Sequence, residues 1–250
     1  ERFDSRVTAR LAVIREETGR EPTAAEEKKV KAEEARRRRA AVAGFDLVFS
    51  PVKSAALLWA VDERPWVREA IRAAHEDAMR EALDLVEEHA AFTRTGAGGI
   101  AQVETNGLIA AAFEHWDSRA GDPNLHTHVA VSAKVQGRDG KWRALDARAL
   151  YRMTVAVSEA YNTGFEAHLS ARLGVTFTAR PDTAGGREPV REITGVPMSV
   201  IEFFSRRRAA IEARYAELLR EYRAVHGHDP DPKTSYHLAR QANLDTRQGK

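Results

Sequence analysis

Two histidines one residue apart, His126 and His128, sit in a segment of alternating character, Leu125-His126-Thr127-His128-Val129-Ala130-Val131-Ser132. Read as a strand, its period of two sends Leu125, Thr127, Val129 and Val131 toward a core and His126, His128, Ala130 and Ser132 to the opposite face. The small residues after the histidines leave that face open in front of two imidazoles. A third histidine lies just upstream in Phe113-Glu114-His115-Trp116-Asp117-Ser118-Arg119, where His115 shares its face with Phe113, Asp117 and Arg119. Between the segments, Ala120-Gly121-Asp122-Pro123-Asn124 has the composition of a turn. Folded antiparallel about it, the two strands bring His115 to His126 and His128. Three neutral imidazoles hold a divalent ion and leave coordination positions open, the arrangement of a catalytic metal rather than a structural one. An open position beside an arginine suits a phosphate. The plainer reading is that a His-x-His pair on a strand is more often no ligand at all. The third histidine and the cleared face favour the metal.

The elements that must position these residues can be read in chain order. At 250 residues the chain can bury a full core and is most simply one large domain. Its 43% hydrophobic and 30% charged content is that of an ordinary soluble protein. No run reaches the length needed to cross a bilayer, and no signal peptide is visible at Glu1. Zero cysteines exclude disulfides and thiolate metal sites and fit a reducing cytoplasm. A net charge of +2 means that affinity for a polyanion must rest on local patches.

Residues 1–42 read as two charged helices, with Thr23 and Glu26 forming a capping box at the start of the second. The run Arg36-Arg37-Arg38-Arg39 is either a set of phosphate contacts or a solvated helix end. Phe45–Ser50 alternates and places Asp46 on one defined face of a strand. Pro51 ends that strand, and Lys53 and Ser54 are expected in the following turn. A long helix opens at Arg64-Pro65-Trp66 with Val67, Ile71, Ala74, Ala78, Ala82, Leu85 and Val86 as its apolar stripe. His75 and His89 fall on it as structural or surface residues. Phe92–Gly99 is a strand and a glycine-rich turn without the Gly-Lys-Ser/Thr ending of a phosphate loop. Gln136–Gly140 reads as a hairpin turn pairing the His126 strand with Lys141–Leu145. Leu150–Leu173 is a helix in which Tyr151, Tyr161 and His168 are packing residues. Two last strands, Val175–Arg180 and Arg191–Thr194, flank a polar loop containing Ala184-Gly185-Gly186. They precede an amphipathic helix, Ser199–Arg223. The tail from His226 to Lys250 is polar, and Asp229-Pro230-Asp231-Pro232 is a linker signal. The predicted class is α+β, with a central, mainly antiparallel sheet flanked by helices. Its domain spans residues 1–225, and a linker region covers 226–250.

The stretch from His115 through Ser118-Arg119-Ala120-Gly121-Asp122-Pro123-Asn124 to His126-Thr127-His128 resembles the three-histidine signature of MobF-type conjugative relaxases. These are the TrwC/TraI-like branch of the HUH endonuclease superfamily. Upstream, Gly44-Phe45-Asp46-Leu47-Val48-Phe49-Ser50-Pro51-Val52-Lys53-Ser54 is similar to the family's "FDLTFSAPKS" strand and turn. Downstream, Gly195-Val196-Pro197 and Phe204-Ser205-Arg206-Arg207-Arg208 match its "GVP…FSkRR" segment. These three motifs occur in order over about residues 44–215.

The resemblance implies a palm-like sheet and metal-dependent nicking and strand transfer of single-stranded DNA at a plasmid transfer origin. In that reaction a tyrosine takes the 5′-phosphate and frees a 3′-hydroxyl. The resemblance assigns His115, His126 and His128 to the metal, which is Mg²⁺ or Mn²⁺ with Zn²⁺ as the alternative. Asp46 becomes the catalytic carboxylate, orienting a metal-bound histidine or assisting the tyrosine. Lys53, Arg119, Arg206, Arg207 and Arg208 are the candidate DNA contacts. The implied partners are single-stranded or hairpin DNA at the origin, relaxosome accessory proteins and a type IV secretion coupling protein, with no membrane partner. In longer relatives a helicase domain follows. The implied location is the bacterial cytoplasm. This chain carries no Walker motif, so no ATPase is expected of it.

One feature departs from the family. The family's nucleophilic tyrosines precede the "FDL" strand, whereas Tyr151, Tyr161, Tyr215, Tyr222 and Tyr236 all follow the histidines. No nucleophile is assigned, and no stable protein–DNA adduct is expected from this chain alone. Two further readings stay open. One is a catalytically incomplete DNA-binding and metal-binding module. The other is a three-histidine metallohydrolase unrelated to DNA, which leaves the arginine-rich helix unexplained.

Overall fold

The computed structural model describes residues 2–37, 42–180 and 189–247, the side chains of 2, 3, 36 and 37 excepted. Two compact units emerge, Glu1–Ala43 and Gly44–Lys250. The first contains α1 (Arg2–Thr18) and α2 (Ala24–Arg37). Thr23 opens α2 as expected. Its hydroxyl accepts from the Glu26 amide at 3.3 Å, and the Glu26 carboxylate accepts from the Thr23 amide at 2.8 Å. Arg10 of α1 pairs with Glu33 and Glu34 of α2. The arginine run at residues 36–39 lies outside the described side chains.

The second unit opens with β1 (Gly44–Phe49), α3 (Lys53–Val61) and α4 (Pro65–Ala90). A pair of short strands follows, β2 (Phe92–Thr95) and β3 (Ala101–Glu104). Next come β4 (Ala110–Asp117), β5 (Pro123–Ser132), β6 (Lys134–Gln136) and β7 (Trp142–Ala144). The remainder is α5 (Ala147–Leu173), β8 (Phe177–Ala179), β9 (Arg191–Ile193), α6 (Met198–Phe203), α7 (Arg206–His226) and α8 (Pro232–Asp245). The main sheet has the order β1-β5-β4 and is antiparallel throughout. Pairs β2–β3, β6–β7 and β8–β9 are separate antiparallel hairpins or ribbons. The strand of His126 therefore does not pair with Lys141–Leu145. Both of its edges are already taken by β1 and β4, so β7 pairs with β6 instead.

One face of the sheet is covered. Val67, Ile71, Ala74, Ala78, Ala82 and Val86 of α4 are buried, as are Leu150, Val157, Tyr161, Phe165 and Leu169 of α5. With Phe49, Leu125, Val129 and Val131 they form a single core. Small residues let the two helices close up. A Cβ added at Gly164 of α5 would meet the Ala78 Cβ at 3.6 Å and a Glu81 carboxylate oxygen at 3.0 Å. Alternate residues of β1, Asp46 and Val48, stay exposed on the other face. Gly44 lets β1 start in close contact with β5, since a Cβ there would stand 2.6 Å from the Val131 carbonyl oxygen.

Several boundaries differ from the sequence reading, each for a local reason. The α5 helix starts before Leu150 because Asp146 caps it. Its carboxylate accepts from the Arg148 amide at 3.2 Å and from Arg94 Nε at 2.8 Å. Asp146→Ala is expected to lower stability by about 0.5–2 kcal/mol, the usual range for a lost cap, as read from urea unfolding midpoints. Lys53 and Ser54 open α3 rather than lying in a turn. There the buried Glu192 accepts from the Ser54 amide at 2.8 Å, and the Ser54 hydroxyl accepts from the Ile193 amide at 2.8 Å. Residues 199–223 form two helices with a break at Phe204-Ser205. The Asp229–Pro232 segment, read as a linker, is a helix start: Asp231 caps α8 and Pro232 occupies its first turn. That helix is folded against α7, since Arg207 bonds Thr246 and Asn243, and Arg214 pairs with Asp245. The Ala184-Gly185-Gly186 loop lies outside the described residues.

Candidate metal centre

β4 and β5 form one hairpin that places His115 directly across from His126, with His128 across from Phe113 on one side and Val48 on the other. The ring centroids are 5.2 Å apart for His115–His126, 5.0 Å for His115–His128 and 5.1 Å for His126–His128. One nitrogen from each ring lies within 4.8 Å of the other two. The turn is built as its composition implies, with Gly121 at φ +72° and its amide donating to the Ser118 carbonyl at 2.9 Å. A register shift between His115 and Asp117 makes a β-bulge at the mouth of the hairpin. It breaks the strict alternation by which the sequence put Asp117 and Arg119 on the His115 face.

Two of the imidazoles are held by their outer nitrogens. His128 Nδ1–H donates to Asp46, 2.9 and 2.8 Å from the two carboxylate oxygens. His126 Nδ1–H donates to the Asn124 carbonyl oxygen at 2.7 Å. Each bond fixes the tautomer that leaves Nε2 unprotonated, and a carboxylate partner also raises ligand basicity. Burial lowers the His126 pKa below the ordinary imidazole value, and the neighbouring His128 and His115 add to this against the Asn124 carbonyl. The neutral form so favoured is the one that ligates. His115, exposed on the edge strand, meets the other two ring to ring.

This donor set fits a divalent ion. Three nitrogens within 4.8 Å of one another can reach a common ion about 2.1 Å from each by drawing in to about 3–3.5 Å apart. Asp46→Asn is expected to weaken metal binding by about 10–100-fold, the usual cost of losing the partner of a ligating histidine. Calorimetric titration checks it.

Beneath the site, Thr127 turns inward between the two ligand positions. Its hydroxyl lies 2.8 Å from His75 Nε2, and His75 Nδ1 lies 2.7 Å from the Tyr161 hydroxyl. All three residues are buried. Burial takes the His75 pKa down to about 4, so the ring is uncharged at neutral pH. Tyr161 is thus a packed residue with a bonded hydroxyl, as expected. Tyr151 is not packed: it is 69% exposed and meets Phe45 edge-on.

The candidate DNA contacts are distributed unevenly. Arg119 is exposed in the turn after β4. Arg206 Nε donates to the buried Asp122 at 2.6 Å, Arg207 is bonded to the end of α8, and Arg208 pairs with Glu212 on its own helix. Lys53 Nζ donates to the Pro123 carbonyl at 2.6 Å, and burial lowers its pKa against the opposing pull of Asp122 and Glu192. Lys53, Asn124, Arg180, Phe204, Arg207 and Arg208 nevertheless line one cleft of about 480 Å³. Sequence reading missed Asn124 and Asp122. Their partners, the Arg206 side chain for Asp122 and the His126 ring for Asn124, are set by the fold and leave no signal beyond the turn composition.

Residues 6–250 match the TrwC relaxase family. The chain belongs to that family. The match runs through both compact units and α8, past the boundary at residue 225 read from the sequence. The chain is 30% identical over 181 residues to the multifunctional conjugation protein TraI of Escherichia coli, covering 70% of this chain and 10% of TraI. Conjugative relaxase TrwC in its metal-bound complex with oriT DNA superposes with a TM-score of 0.64 at 27% identity, over 83% of this chain and 65% of that one. TrwC complexed with a 27-mer DNA comprising the recognition hairpin and the cleavage site gives 0.63 at 25% identity, over 94% and 82%. The chain thus spans about a tenth of TraI and just under two thirds of the TrwC chain in the first complex. The α+β fold, with its mainly antiparallel sheet, is the relaxase fold of this MobF-type family. Among the described residues, no helix is long and apolar enough to cross a membrane.

Proposed function

We propose that this chain carries the metal centre and part of the strand-holding surface of a relaxase that nicks single-stranded or hairpin DNA at a plasmid transfer origin. The observation that supports it most directly is the Asp46–His128 bond within a three-histidine cluster on an open sheet face. When bound, a divalent ion, Mg²⁺ or Mn²⁺ with Zn²⁺ as the alternative, supplies Lewis-acid stabilisation of charge on the scissile phosphate oxygens. His115, His126 and His128 would hold it. Asp46 keeps the proton on His128 Nδ1, and the Asn124 carbonyl does the same for His126. Arg119, exposed in the turn after β4, and the cleft at Lys53, Arg207 and Arg208 would take backbone phosphates on either side of the cut. Arg206 contributes through Asp122, holding the hairpin turn against the start of α7.

In the transfer step a tyrosine oxygen bonds to phosphorus and the P–O3′ bond breaks. The 3′-oxygen takes up a proton, leaving a 5′-phosphotyrosyl link and a 3′-hydroxyl. All five tyrosines follow the Asp46 strand, whereas the family's nucleophile precedes it, so this reading assigns the role to none of them. The ring contacts of the three imidazoles are with one another, the Tyr161 hydroxyl is bonded in the core, and Tyr222 stacks on His226. In the cell the same activity would engage relaxosome accessory proteins and a type IV secretion coupling protein, and a helicase domain where one is joined to it.

The test is to incubate the chain with origin oligonucleotides and Mn²⁺, alone and with an upstream tyrosine-bearing segment fused to it. The expected result is no SDS-stable adduct alone and an adduct with a free 3′-hydroxyl after fusion. A covalent link mapped to Tyr151 or Tyr161 would overturn the assignment. Metal and DNA binding without cutting in the fused chain would favour the second reading, a DNA-binding and metal-binding module that the missing nucleophile already suggests.

A further inference from the structure

We infer that His75 is a positioning residue for the metal centre, acting through Thr127, and that this buried chain of hydrogen bonds sets the pitch at which His126 and His128 leave the sheet. The inference rests on reading the three histidines as a metal site and concerns what aims them. In a strand, His126 and His128 point outward only as accurately as the residue between them is fixed inward, because a strand that rolls about its axis rolls all three side chains together. The inward residue here is a threonine. A valine of the same shape would fill the core equally well, as Val129 and Val131 do at the next inward positions of β5.

What the threonine adds is one hydroxyl, and the structure gives that hydroxyl a dedicated partner. His75 Nε2 lies 2.8 Å away, and His75 is itself held from the far side by the Tyr161 hydroxyl at 2.7 Å from Nδ1. A neutral imidazole has one donor and one acceptor nitrogen, and hydroxyls can serve either. Both ring nitrogens of His75 therefore have a hydroxyl partner in either tautomer, one as donor and one as acceptor. His75 is fully buried, Tyr161 is 3% exposed and Thr127 4%. A buried polar chain of this kind confers no stability that an apolar core would lack, but it permits a single alignment, since any roll of β5 breaks a bond that water cannot replace. It also ties three elements into one frame: α4 through His75, α5 through Tyr161 and β5 through Thr127. Tyr161 forms part of the wall of the cleft, about 290 Å³, that contains Asp46. The ligand strand and the wall beside its outer carboxylate are thus referenced to the same imidazole.

The experiment compares Thr127→Val, Thr127→Ser and Tyr161→Phe with the unsubstituted chain. Mn²⁺ affinity is measured by calorimetry, the visible spectrum of the Co²⁺-loaded chain by absorption, and stability by thermal unfolding. Thr127→Val is expected to weaken Mn²⁺ binding by about tenfold, the lower end of the outer-partner range. It should also alter the Co²⁺ bands, which report ligand geometry. Thr127→Ser restores both, because it keeps the hydroxyl. Tyr161→Phe gives a smaller loss in the same direction. Mn²⁺ affinity within twofold of the unsubstituted chain, together with an unchanged Co²⁺ spectrum in Thr127→Val, would overturn the inference whatever happens to the melting temperature. His126→Ala serves as the control. If it binds Mn²⁺ as the unsubstituted chain does, the metal-centre reading itself falls, and this inference with it.

Discussion

Replacing His126 or His128 by alanine is expected to abolish measurable uptake of Mn²⁺, a loss of at least about 100-fold, beyond the cost of losing an outer-shell partner. Both rings sit on β5 with Nδ1 already committed to an oxygen, so each presents a single, aimed nitrogen. Removing either leaves two nitrogens, one of them on exposed His115. His115→Ala should act in the same direction but less severely. The fold should survive all three substitutions, because the side chains lie on the uncovered face and the core of β5 is Leu125, Val129 and Val131. Calorimetry on the metal-free chain, with circular dichroism as the folding control, decides the matter. A site of unchanged affinity in His126→Ala or His128→Ala would place any metal elsewhere.

Acidification below neutral pH is expected to remove about 3 kcal/mol of stability through His75 alone, since its ordinary pKa of 6.5 falls to about 4 in the folded chain. Burial is the main cause, opposed by Glu114 and reinforced by His126. The sign follows from proton counting. Between pH 6.5 and about 4 the unfolded chain carries a proton on this ring and the folded chain does not, so stability rises with pH across that window. The contribution is complete above 6.5 and is lost as the pH falls toward 4. Urea unfolding of the EDTA-treated chain at pH 7.5 and 4.5, compared with His75→Gln, isolates it. The unsubstituted chain should lose the larger part of that amount relative to the variant. Equal losses in both would mean that His75 is protonated in the folded state at acidic pH.

The metal hairpin is legible because its information is local. A period-two pattern, a glycine-containing turn and three histidines fix which side chains share a face, and the structure needs only to close the turn. Asp46 is legible for the same reason as to face. Its partner is not, since no pattern within Phe45–Ser50 says that the strand lies next to His128 rather than next to His115. What stayed hidden depends on distant contacts. The break between α6 and α7 has no breaker residue in the sequence. It is set where Asp122, in the turn before β5, meets the Arg206 side chain and the Arg207 amide at the start of α7. Conversely, Asp229-Pro230-Asp231-Pro232 carries signals for both a linker and a helix start, and the apolar residues that decide between them, such as the buried Ala242, come later. The arginines of α7 show the same limit. Their presence is visible in the sequence, but whether a guanidinium faces solvent or a buried aspartate is a tertiary fact.

The three histidines and Asp46 differ in how far apart they lie along the chain, and this bears on the order of their assembly. His115, His126 and His128 belong to a single hairpin, whose ends meet at little entropic cost and on the timescale of local structure. Asp46 is separated from His128 by 82 residues and reaches it only when β1 has docked along β5. A nascent or partly folded chain can therefore gather imidazoles around an ion before the residue that fixes their protons has arrived. Capture of a metal by the hairpin would then be early and permissive, and its final tuning would come with closure of the whole sheet.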